Sequence, residues 1–364
     1  MFGISEKTGY KWLARFAAGG VAALADRSHA PVCPPHPLAP MVIAELVALR
    51  TRHPTWGPRK LRQRLVTLQP TVAWPAPSTI GALLTRHGLI LPRRRRARTR
   101  ILSLTPPLTL AAAPNDVWTA DFKGEFLLRG AHHACYPLTI GDLYSRMLLE
   151  CRGLAGTAQG PTQDAFRRTF KRYGLPRVLR TDNGVPFANA HALGGLSTLA
   201  IWWIHLGIRP ERIAPGQPQQ NAVHERMHKT LKAEATRPPE PTLDAQQHRF
   251  DRFRCEYNQE RPHAALDGET PASLYTVSAR AYPTRLPGFE YPAALAVRRV
   301  RTAGSIKWLG RSLFLSSTLA GEDVSMEERT MDQWTIKLGP LVLGVFDPVG
   351  FRLTPSLYWE NEND

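Results

Sequence analysis

The chain has 364 residues and a formal net charge of +17, with 47 lysines and arginines against 30 aspartates and glutamates. That length allows two or three domains and a sizeable core. The four cysteines are scattered and include no Cys-x-x-Cys pair, which argues against a zinc module and a small disulfide framework. There is no signal peptide and no apolar run of membrane-spanning length. We therefore expect a soluble, cytosolic protein with no membrane partner.

The positive charge is concentrated in the N-terminal third. Residues 1–114 hold 17 lysines and arginines and 3 acidic residues, a balance of +14, whereas the other 250 residues hold 30 and 27, a balance of +3. Such an asymmetry is typical of a nucleic-acid-binding region attached to a near-neutral body. General solubility or attraction to a membrane surface is the alternative interpretation.

The first predicted helix resembles the second helix of a helix-turn-helix. Ser5 is its expected N-cap, and Leu13 and Phe16 are expected to face a core. Three polar residues are predicted to contact DNA from the outward face: Lys7, Thr8 and Lys11. Only four residues precede this helix, so we assign residues 1–35 to a partial module whose first helix is missing. A plain amphipathic helix is the alternative.

A second helix-turn-helix or winged-helix-like module is predicted over residues 40–90. Its helices are expected at about 40–53, 58–68 and 78–87, with Pro58 in a first helical position and Ser78 as an N-cap. Basic residues crowd its second helix and are predicted to contact DNA: Arg59, Lys60 and Arg62. A helical spacer is the alternative interpretation.

Residues 91–112 are predicted to form a basic linker. A block of like charges does not pack, but it can follow a phosphate backbone with strong salt dependence and little sequence preference. The arginines predicted to do so are Arg93, Arg94, Arg95 and Arg96.

Residues 113–278 are predicted to form an α/β layered domain. Strands are expected at about 117–122, 134–142, 146–151 and 177–181, with helices at 162–172 and 242–257. Asp121 lies inside the first strand-like run, and Asp182 follows the fourth at an Asp-Asn-Gly turn. Glu225 lies on a helix, one and two turns before Lys229 and Lys232 on the same face. A turn aspartate and a solvated, salt-bridged helix face are the alternatives for these residues.

Several sequence motifs in this region resemble those of the DDE transposases of insertion sequences, which are related to retroviral integrases. The motifs are Trp118–Asp121, Thr181–Gly184, Asn221–Lys232, Tyr257–Asn258, Arg261–His263 and Thr270–Pro271. The resemblance covers roughly residues 112–276, with a weaker match N-terminal to it. It implies a ribonuclease-H-like catalytic core in which the three carboxylates converge.

The resemblance also implies a function. Asp121, Asp182 and Glu225 would be the catalytic residues and the ligands of two Mg²⁺ or Mn²⁺ ions, with Asp121 bridging both ions. Water would cleave DNA at the element's inverted-repeat ends, and the freed 3′-OH would attack target DNA. Lys229 and Lys232 would hold DNA phosphate, whereas Arg226 and His228 are interpreted as packing or DNA-contact residues. We expect a homo-oligomer on DNA, no nucleotide cofactor, and a bacterial cytoplasmic location, nucleoid-associated when bound to DNA.

Two departures from the family pattern leave an alternative open. Asp182 and Glu225 are 43 positions apart, longer than usual, and we attribute the extra length to an inserted helix at about 188–206. Ala222 stands where the family usually has glycine. With the short N-terminus, these features allow a catalytically inactive remnant that binds inverted repeats without cutting. A hybrid-cleaving ribonuclease H is disfavoured, because DNA-binding modules would have no role in it.

Residues 290–364 are predicted to form a small β domain, a C-terminal β-barrel. The segments 295–316 and 333–346 alternate apolar and polar residues with glycine between them. Comparable barrels in the family bind DNA or bridge subunits, and the candidate contacts here are Lys307, Trp308 and Arg311. Residues 358–364 are expected to be a frayed acidic tail.

Overall fold

The computed structural model describes residues 3–26, 38–90, 108–130, 133–214, 217–330 and 332–360. The chain divides into two compact units, Met1–Arg52 and His53–Asp364. The linker arginines predicted to follow DNA phosphates, Arg93 to Arg96, lie outside the described residues. None of the helices in the described ranges is both long and apolar enough to cross a membrane.

Within its described residues, 3–26 and 38–52, the first unit contains two α-helices, α1 (Glu6–Gly19) and α2 (Pro40–Arg52). Ser5 is the N-cap of α1 as predicted, and its hydroxyl accepts a hydrogen bond from the Thr8 amide at 3.4 Å. The expectation that Leu13 and Phe16 face a core is wrong. Their side chains are 63% and 50% exposed, and α1 has no buried residue.

The second unit begins with two further helices, α3 (Pro58–Leu68) and α4 (Pro77–Arg86). Pro58 starts α3 as expected. The predicted cap of the next helix is wrong by two residues, because α4 begins at Pro77 after Ala76. Proline suits a first helical turn, where its missing amide proton costs nothing. The two helices pack through buried aliphatic side chains, among them Leu61, Leu65 and Ile80.

A mixed β-sheet is the centre of the second unit. Its strands are β1 (Val117–Phe122), β2 (Phe126–Leu127), β3 (Ala134–Asp142), β4 (Leu148–Leu154), β5 (Val178–Thr181) and β6 (Arg209–Arg212). The spatial order is β4-β3-β1-β5-β6, and β2 pairs with the start of β3. β1 runs parallel to β5 and antiparallel to β3. The predicted α/β domain is thus present, with a parallel pair at its centre.

Five helices accompany this sheet: α5 (Gln159–Tyr173), α6 (Thr198–His205), α7 (Ala222–Glu234), α8 (Leu243–Gln259) and α9 (Pro271–Leu274). The inserted segment is less helical than predicted, since only Thr198–His205 is α-helical and Gly194 and Gly195 have positive φ. α6 is a core element: Trp203 is fully buried, with its ring centroid 5.1 Å from that of Phe166 on α5.

The C-terminal region is all β, but it is not a barrel. Its strands are β7 (Ala296–Arg299), β8 (Ser305–Trp308), β9 (Arg311–Phe314), β10 (Asp323–Thr330), β11 (Gln333–Leu338), β12 (Leu341–Asp347) and β13 (Arg352–Trp359). Five form an open sheet in the order β13-β12-β11-β10-β7, and β8 pairs with β9. The predicted closure of these strands into a barrel is therefore not confirmed. Tyr358 and Trp359 belong to β13 rather than to a frayed tail.

Candidate active site

Two of the predicted carboxylates lie at the ends of neighbouring parallel strands. In the β1–β5 register Ala120 is opposite Thr181, and Asp121 and Asp182 each follow by one residue. Paired strands are about 4.8 Å apart, so the two carboxylates leave the sheet side by side. The pairing of these two largely buried strands therefore brings together Asp121 and Asp182, which are 61 positions apart in the chain.

The Asp-Asn-Gly turn after β5 fixes Asp182. Its Oδ1 accepts a hydrogen bond from the Gly184 amide at 3.1 Å, and the Asn183 side chain donates to the Ile213 carbonyl at 2.8 Å. A Cβ on Gly184 would come within 3.0 Å of Asp182 Oδ2. Any other residue at position 184 would thus crowd the carboxylate, which explains the glycine of this motif.

Helix α7 brings the third carboxylate to the site. Asn221 precedes the helix and is buried, and its side-chain amide donates to Asp121 Oδ2 at 3.1 Å. Glu225 is one turn further along and is exposed to solvent. The Asn-x-x-x-Glu spacing therefore ties the start of α7 to Asp121 and leaves Glu225 free to meet a ligand.

The electrostatics of Asp121 reflect a crowded acidic site. Burial raises the pKa of Asp121 to about 7, and the nearby charges of Asp182 and Glu225 raise it as well. A hydrogen bond from the Phe122 amide and the charge of Lys123 act in the opposite direction. Sequence reasoning missed Lys123, which follows the strand and carries no motif of its own.

Two histidines of α7 lie beneath Asp121, and sequence reasoning did not place them there. Asp121, His224 and His228 each offer a potential ligand atom, and these atoms all lie within 4.8 Å of one another. Burial lowers the pKa of His224 to about 3, and burial together with His224 and Lys123 lowers that of His228 to about 2. Both imidazoles are therefore neutral. Thr119 and Thr139, on β1 and β3, are their hydrogen-bond partners.

These histidines share the inward face of α7 with Met227 and Leu231, which are buried, whereas Val223 is 38% exposed. The interpretation of His228 as a packing residue agrees with its burial. The i, i+4 spacing of His224 and His228 is visible in the sequence, but their distant partners Thr119 and Thr139 are not.

The motif residues in the last turn of α8 and just after it support the site from a distance. Asn258 pairs with the backbone of β4, accepting from the Leu148 amide at 2.8 Å and donating to the Leu148 carbonyl at 2.9 Å. Arg261 forms a buried ion pair with Glu234, the last residue of α7, at 2.7 Å. Asn258 therefore ties α8 to β4, and Arg261 anchors the end of α7, the helix that carries Glu225.

The predicted DNA contacts fall into two groups. Several are exposed in their own unit: Lys7, Lys11, Arg59, Lys229 and Lys232. Thr8, Lys60 and Arg62 are half-buried, and the Thr8 hydroxyl is hydrogen-bonded to that of Ser5. Lys60 lies near Arg261 and Glu234, and burial followed by the charge of Arg261 lowers its pKa to about 8. All of these roles stay predictions.

Comparison with protein families identifies the core. Two models of the integrase core domain match residues 111–218 and 206–271, and a homeodomain-like model matches residues 8–84. The chain carries an integrase core domain. The homeodomain-like match covers the N-terminal helices. The integrase core and the N-terminal helical region expected from the sequence are therefore both confirmed.

Two of the similar proteins come from insertion elements. The chain is 29% identical over 235 residues to the "Insertion element IS407 uncharacterized 31.7 kDa protein" of Burkholderia multivorans, covering 64% of this chain and 80% of the relative. It is 29% identical over 247 residues to the "Insertion element IS476 uncharacterized 39.2 kDa protein" of Xanthomonas euvesicatoria, covering 68% and 67%. The resemblance to insertion-sequence transposases with an integrase core and an N-terminal helix-turn-helix is thus confirmed.

Two solved structures align with the chain. The catalytic core domain of HTLV-2 integrase in complex with magnesium aligns with a TM-score of 0.37 and 17% identity, covering 46% of this chain and all of that one. The simian T-cell lymphotropic virus intasome in complex with PP2A regulatory subunit B56 gamma aligns with a TM-score of 0.39 and 14% identity, covering 82% and 97%.

Proposed function

We propose that the chain is a transposase that cuts DNA at the ends of an insertion element and joins the freed ends to target DNA. The observation that carries this proposal is the meeting of Asp121 and Asp182 at the ends of two parallel strands, with Glu225 close enough to raise the pKa of Asp121. The integrase core and the homeodomain-like domain support DNA as the substrate.

The donor set suits divalent cations. Carboxylate oxygens are the preferred ligands of Mg²⁺ and Mn²⁺, and the repulsion that raises the pKa of Asp121 is relieved when a cation is shared among the carboxylates. We propose that Asp121, Asp182 and Glu225 would hold the ions. Bound there, the ions would activate the attacking hydroxyl and neutralise charge on the phosphate.

The protein's own residues position the reacting groups. The Asn221 amide and the Gly184 amide hold Asp121 and Asp182 in fixed orientations before any ligand binds. Lys229 and Lys232 are exposed on the face of α7 that carries Glu225, where their ammonium groups would bind the DNA phosphates on either side of the scissile bond. The protein would act as a homo-oligomer that pairs two element ends.

The test is a strand-transfer assay. Purified protein is mixed with a labelled duplex ending in the element's inverted repeat and a supercoiled target plasmid, with Mg²⁺ or with EDTA. We expect joined product with Mg²⁺ only, and none from Asp121→Asn, Asp182→Asn or Glu225→Gln. The matched control is Glu125→Gln, which neutralises an exposed carboxylate four residues after Asp121 and should join ends like the wild type.

The outcomes separate the two candidate functions. Joining by Asp121→Asn would refute the assignment of the triad. A repeat-specific complex without cleavage or joining by the wild type would favour an inactive remnant. Ala222 gives no structural support to the remnant, because its side chain is exposed at the first turn of α7.

A further inference from the structure

A cavity beside the start of α7 carries positive charge that no carboxylate on its wall balances. Its volume is about 340 Å³. Among the described residues its lining contains two arginines and no acidic side chain, and it includes Tyr144, Arg146, Arg180, Gln220, Ala222 and Val223. The cavity lies close to the catalytic carboxylates, because Ala222 and Val223 open the turn of α7 that also carries Glu225.

The sheet places Arg180 on the same face as the carboxylates. Arg180 precedes Asp182 by two residues, so the alternation along β5 points both side chains to one face, about 7 Å apart along the strand. The strand register agrees with this assignment. Arg180 is opposite Thr119 of β1, and the Thr119 hydroxyl contacts His224 of α7 at 2.9 Å.

Hydrogen bonds fix the guanidinium of Arg180 before any ligand binds. Its side chain is buried, and it donates from Nε to Glu211 Oε2 at 2.6 Å and from Nη2 to the Thr109 carbonyl at 2.6 Å. Glu211 is held in turn, because its Oε1 accepts from the Thr109 amide and hydroxyl. These bonds leave the third nitrogen of Arg180, Nη1, unused by either partner.

Arg146 brings a second cation to the cavity from the turn between β3 and β4. Its Nη1 atom is buried and has no hydrogen-bond partner among the described residues. The nearby carboxylate of Asp142 is already occupied, since it accepts from the Asn115 amide and from the amide and hydroxyl of Ser145. The protein therefore offers Nη1 of Arg146 no acceptor of its own.

The surroundings of Arg146 make its charge unfavourable in the free protein. Burial lowers the pKa of Arg146 and the charge of Arg226 lowers it further, whereas Tyr257 and Asp142 raise it. An arginine nevertheless stays protonated at neutral pH. Its backbone also lies at a φ of 63°, in the left-handed region that favours glycine. A desolvated guanidinium without an acceptor is an incomplete anion site, which a ligand with anionic oxygens can complete.

We propose that this cavity binds a phosphate of the DNA held at the active site, with Arg146 and Arg180 as the binding residues. Guanidinium groups form charge-assisted hydrogen bonds to phosphate oxygens in a geometry that fixes the ligand's orientation. Lys229 and Lys232 follow Glu225 along α7, whereas the cavity lies before it, so this phosphate is a further contact that positions the DNA. The proposal rests on the proposed function, since it concerns the same DNA.

The first measurement pairs Arg146 with a single phosphate. A neutral methylphosphonate linkage replaces one phosphate at a time at the end of a duplex carrying the element's inverted repeat, and binding of the full-length protein is followed by fluorescence anisotropy. Ca²⁺ is present to neutralise the carboxylates, so that their repulsion does not keep the DNA out. We expect one linkage to weaken wild-type binding about tenfold and to leave the affinity of Arg146→Gln unchanged.

Arg177→Gln is the matched control for the loss of one positive charge. Arg177 is 76% exposed and precedes β5, at the end of the strand away from Asp182. This variant should respond to every linkage as the wild type does. If every linkage weakens binding by wild type and Arg146→Gln equally, the proposal is overturned.

The second measurement is thermal unfolding of the same proteins without DNA. Arg146→Gln should not lower the melting temperature, because it removes a desolvated charge whose Nη1 has no partner. A lower melting temperature together with an equal loss of affinity for every duplex would mean that Arg146 has a structural role only.

The two proposals can fail separately. A linkage effect that depends on Arg146, in a protein that does not join DNA, would leave the phosphate site standing and refute the transposase. Joining of DNA by a wild-type protein in which no linkage effect depends on Arg146 would do the reverse.

Discussion

At the scale of single residues, the ionised carboxylate of Asp121 lowers the folding stability of the metal-free protein. Its carboxylate is buried beside Asp182 and Glu225, and its pKa is raised from 3.8 to about 7. A carboxyl group whose pKa is raised by folding contributes stability at low pH that is lost as pH rises through the folded pKa. At pH 8 the Asp121 carboxylate is therefore ionised in a mostly buried position, and a neutral side chain of the same shape would avoid this loss of stability.

Replacing Asp121 with asparagine should stabilise the metal-free protein at pH 8. The gain has an upper limit of about 4 kcal/mol from the size of the pKa shift. Asparagine still accepts the Asn221 hydrogen bond, so the geometry is kept. Urea denaturation in EDTA measures the effect, and the gain should shrink towards pH 4. Glu125→Gln should change stability little, and an unstable Asp121→Asn protein at pH 8 would contradict the argument.

The carboxylates could be predicted from the sequence, but the histidines beneath them could not. Asp121, Asp182 and Glu225 each lie in a short motif whose residues sit next to one another in the chain. The burial of His224 and His228 depends on Thr119 and Thr139, which β-sheet pairing brings to the helix from 105 and 89 positions away. A polar residue on a helix normally faces water, so the pattern alone favours the wrong face.

At the scale of elements, boundaries set by local chemistry were predictable and closure of a sheet was not. Glycine and proline fixed the start of α3, and the alternation of apolar residues identified β7, β8, β9, β11 and β12 but neither β10 nor β13. A barrel additionally needs a matched strand number, tilt and stagger, which alternation does not encode. The open order β13-β12-β11-β10-β7 therefore differs from the predicted architecture even though several of its strands were predicted.

The buried ion pair at the end of α7 gives an element-scale prediction. Arg261 and Glu234 are mostly buried, and the Thr55 hydroxyl also donates to Glu234. Arg261→Ala should lower the free energy of unfolding by about 3 kcal/mol, because it leaves Glu234 buried without its cation. Arg177→Ala is the control, since Arg177 is 76% exposed and 3.9 Å from Asp116; its loss should be below about 1 kcal/mol. If chemical denaturation shows similar losses of unfolding free energy for Arg261→Ala and Arg177→Ala, the interpretation of Arg261 and Glu234 as a stabilising buried pair is refuted.

At the scale of the second unit, the C-terminal sheet shares one hydrophobic core with the central mixed sheet. Trp203 and Leu199 of α6 belong to the same buried cluster as Val324 of β10 and Ile336 of β11. A polar contact reinforces this junction: His205, the last residue of α6, lies 2.7 Å from Glu322 and 2.8 Å from the Pro287 carbonyl. The two sheets should therefore unfold as one cooperative body.

His205 makes this junction sensitive to pH. Both of its nitrogens face acceptors, Glu322 and the Pro287 carbonyl, so only the doubly protonated imidazolium satisfies both; Phe289 stacks on the ring. The hydrogen bond to Glu322 accordingly raises the pKa of His205 above 6.5, although burial opposes it. A raised histidine pKa contributes stability that is complete below the unfolded pKa of about 6.5 and is lost as pH rises through the folded value.

Substituting His205 should therefore matter more at low pH than at high pH. His205→Gln keeps one donor but no charge, so it should destabilise the protein by about 1 kcal/mol at pH 6 and by less at pH 8.5. The free energy of unfolding is measured by urea denaturation for wild type and variant at both pH values. The difference between the two proteins at each pH removes the contributions of the titrating groups that they share. Glu322→Gln should show the same trend, and the double variant should add little to either single change because the pair acts as a unit. A destabilisation that stays constant from pH 6 to pH 8.5 would mean that His205 acts by packing alone.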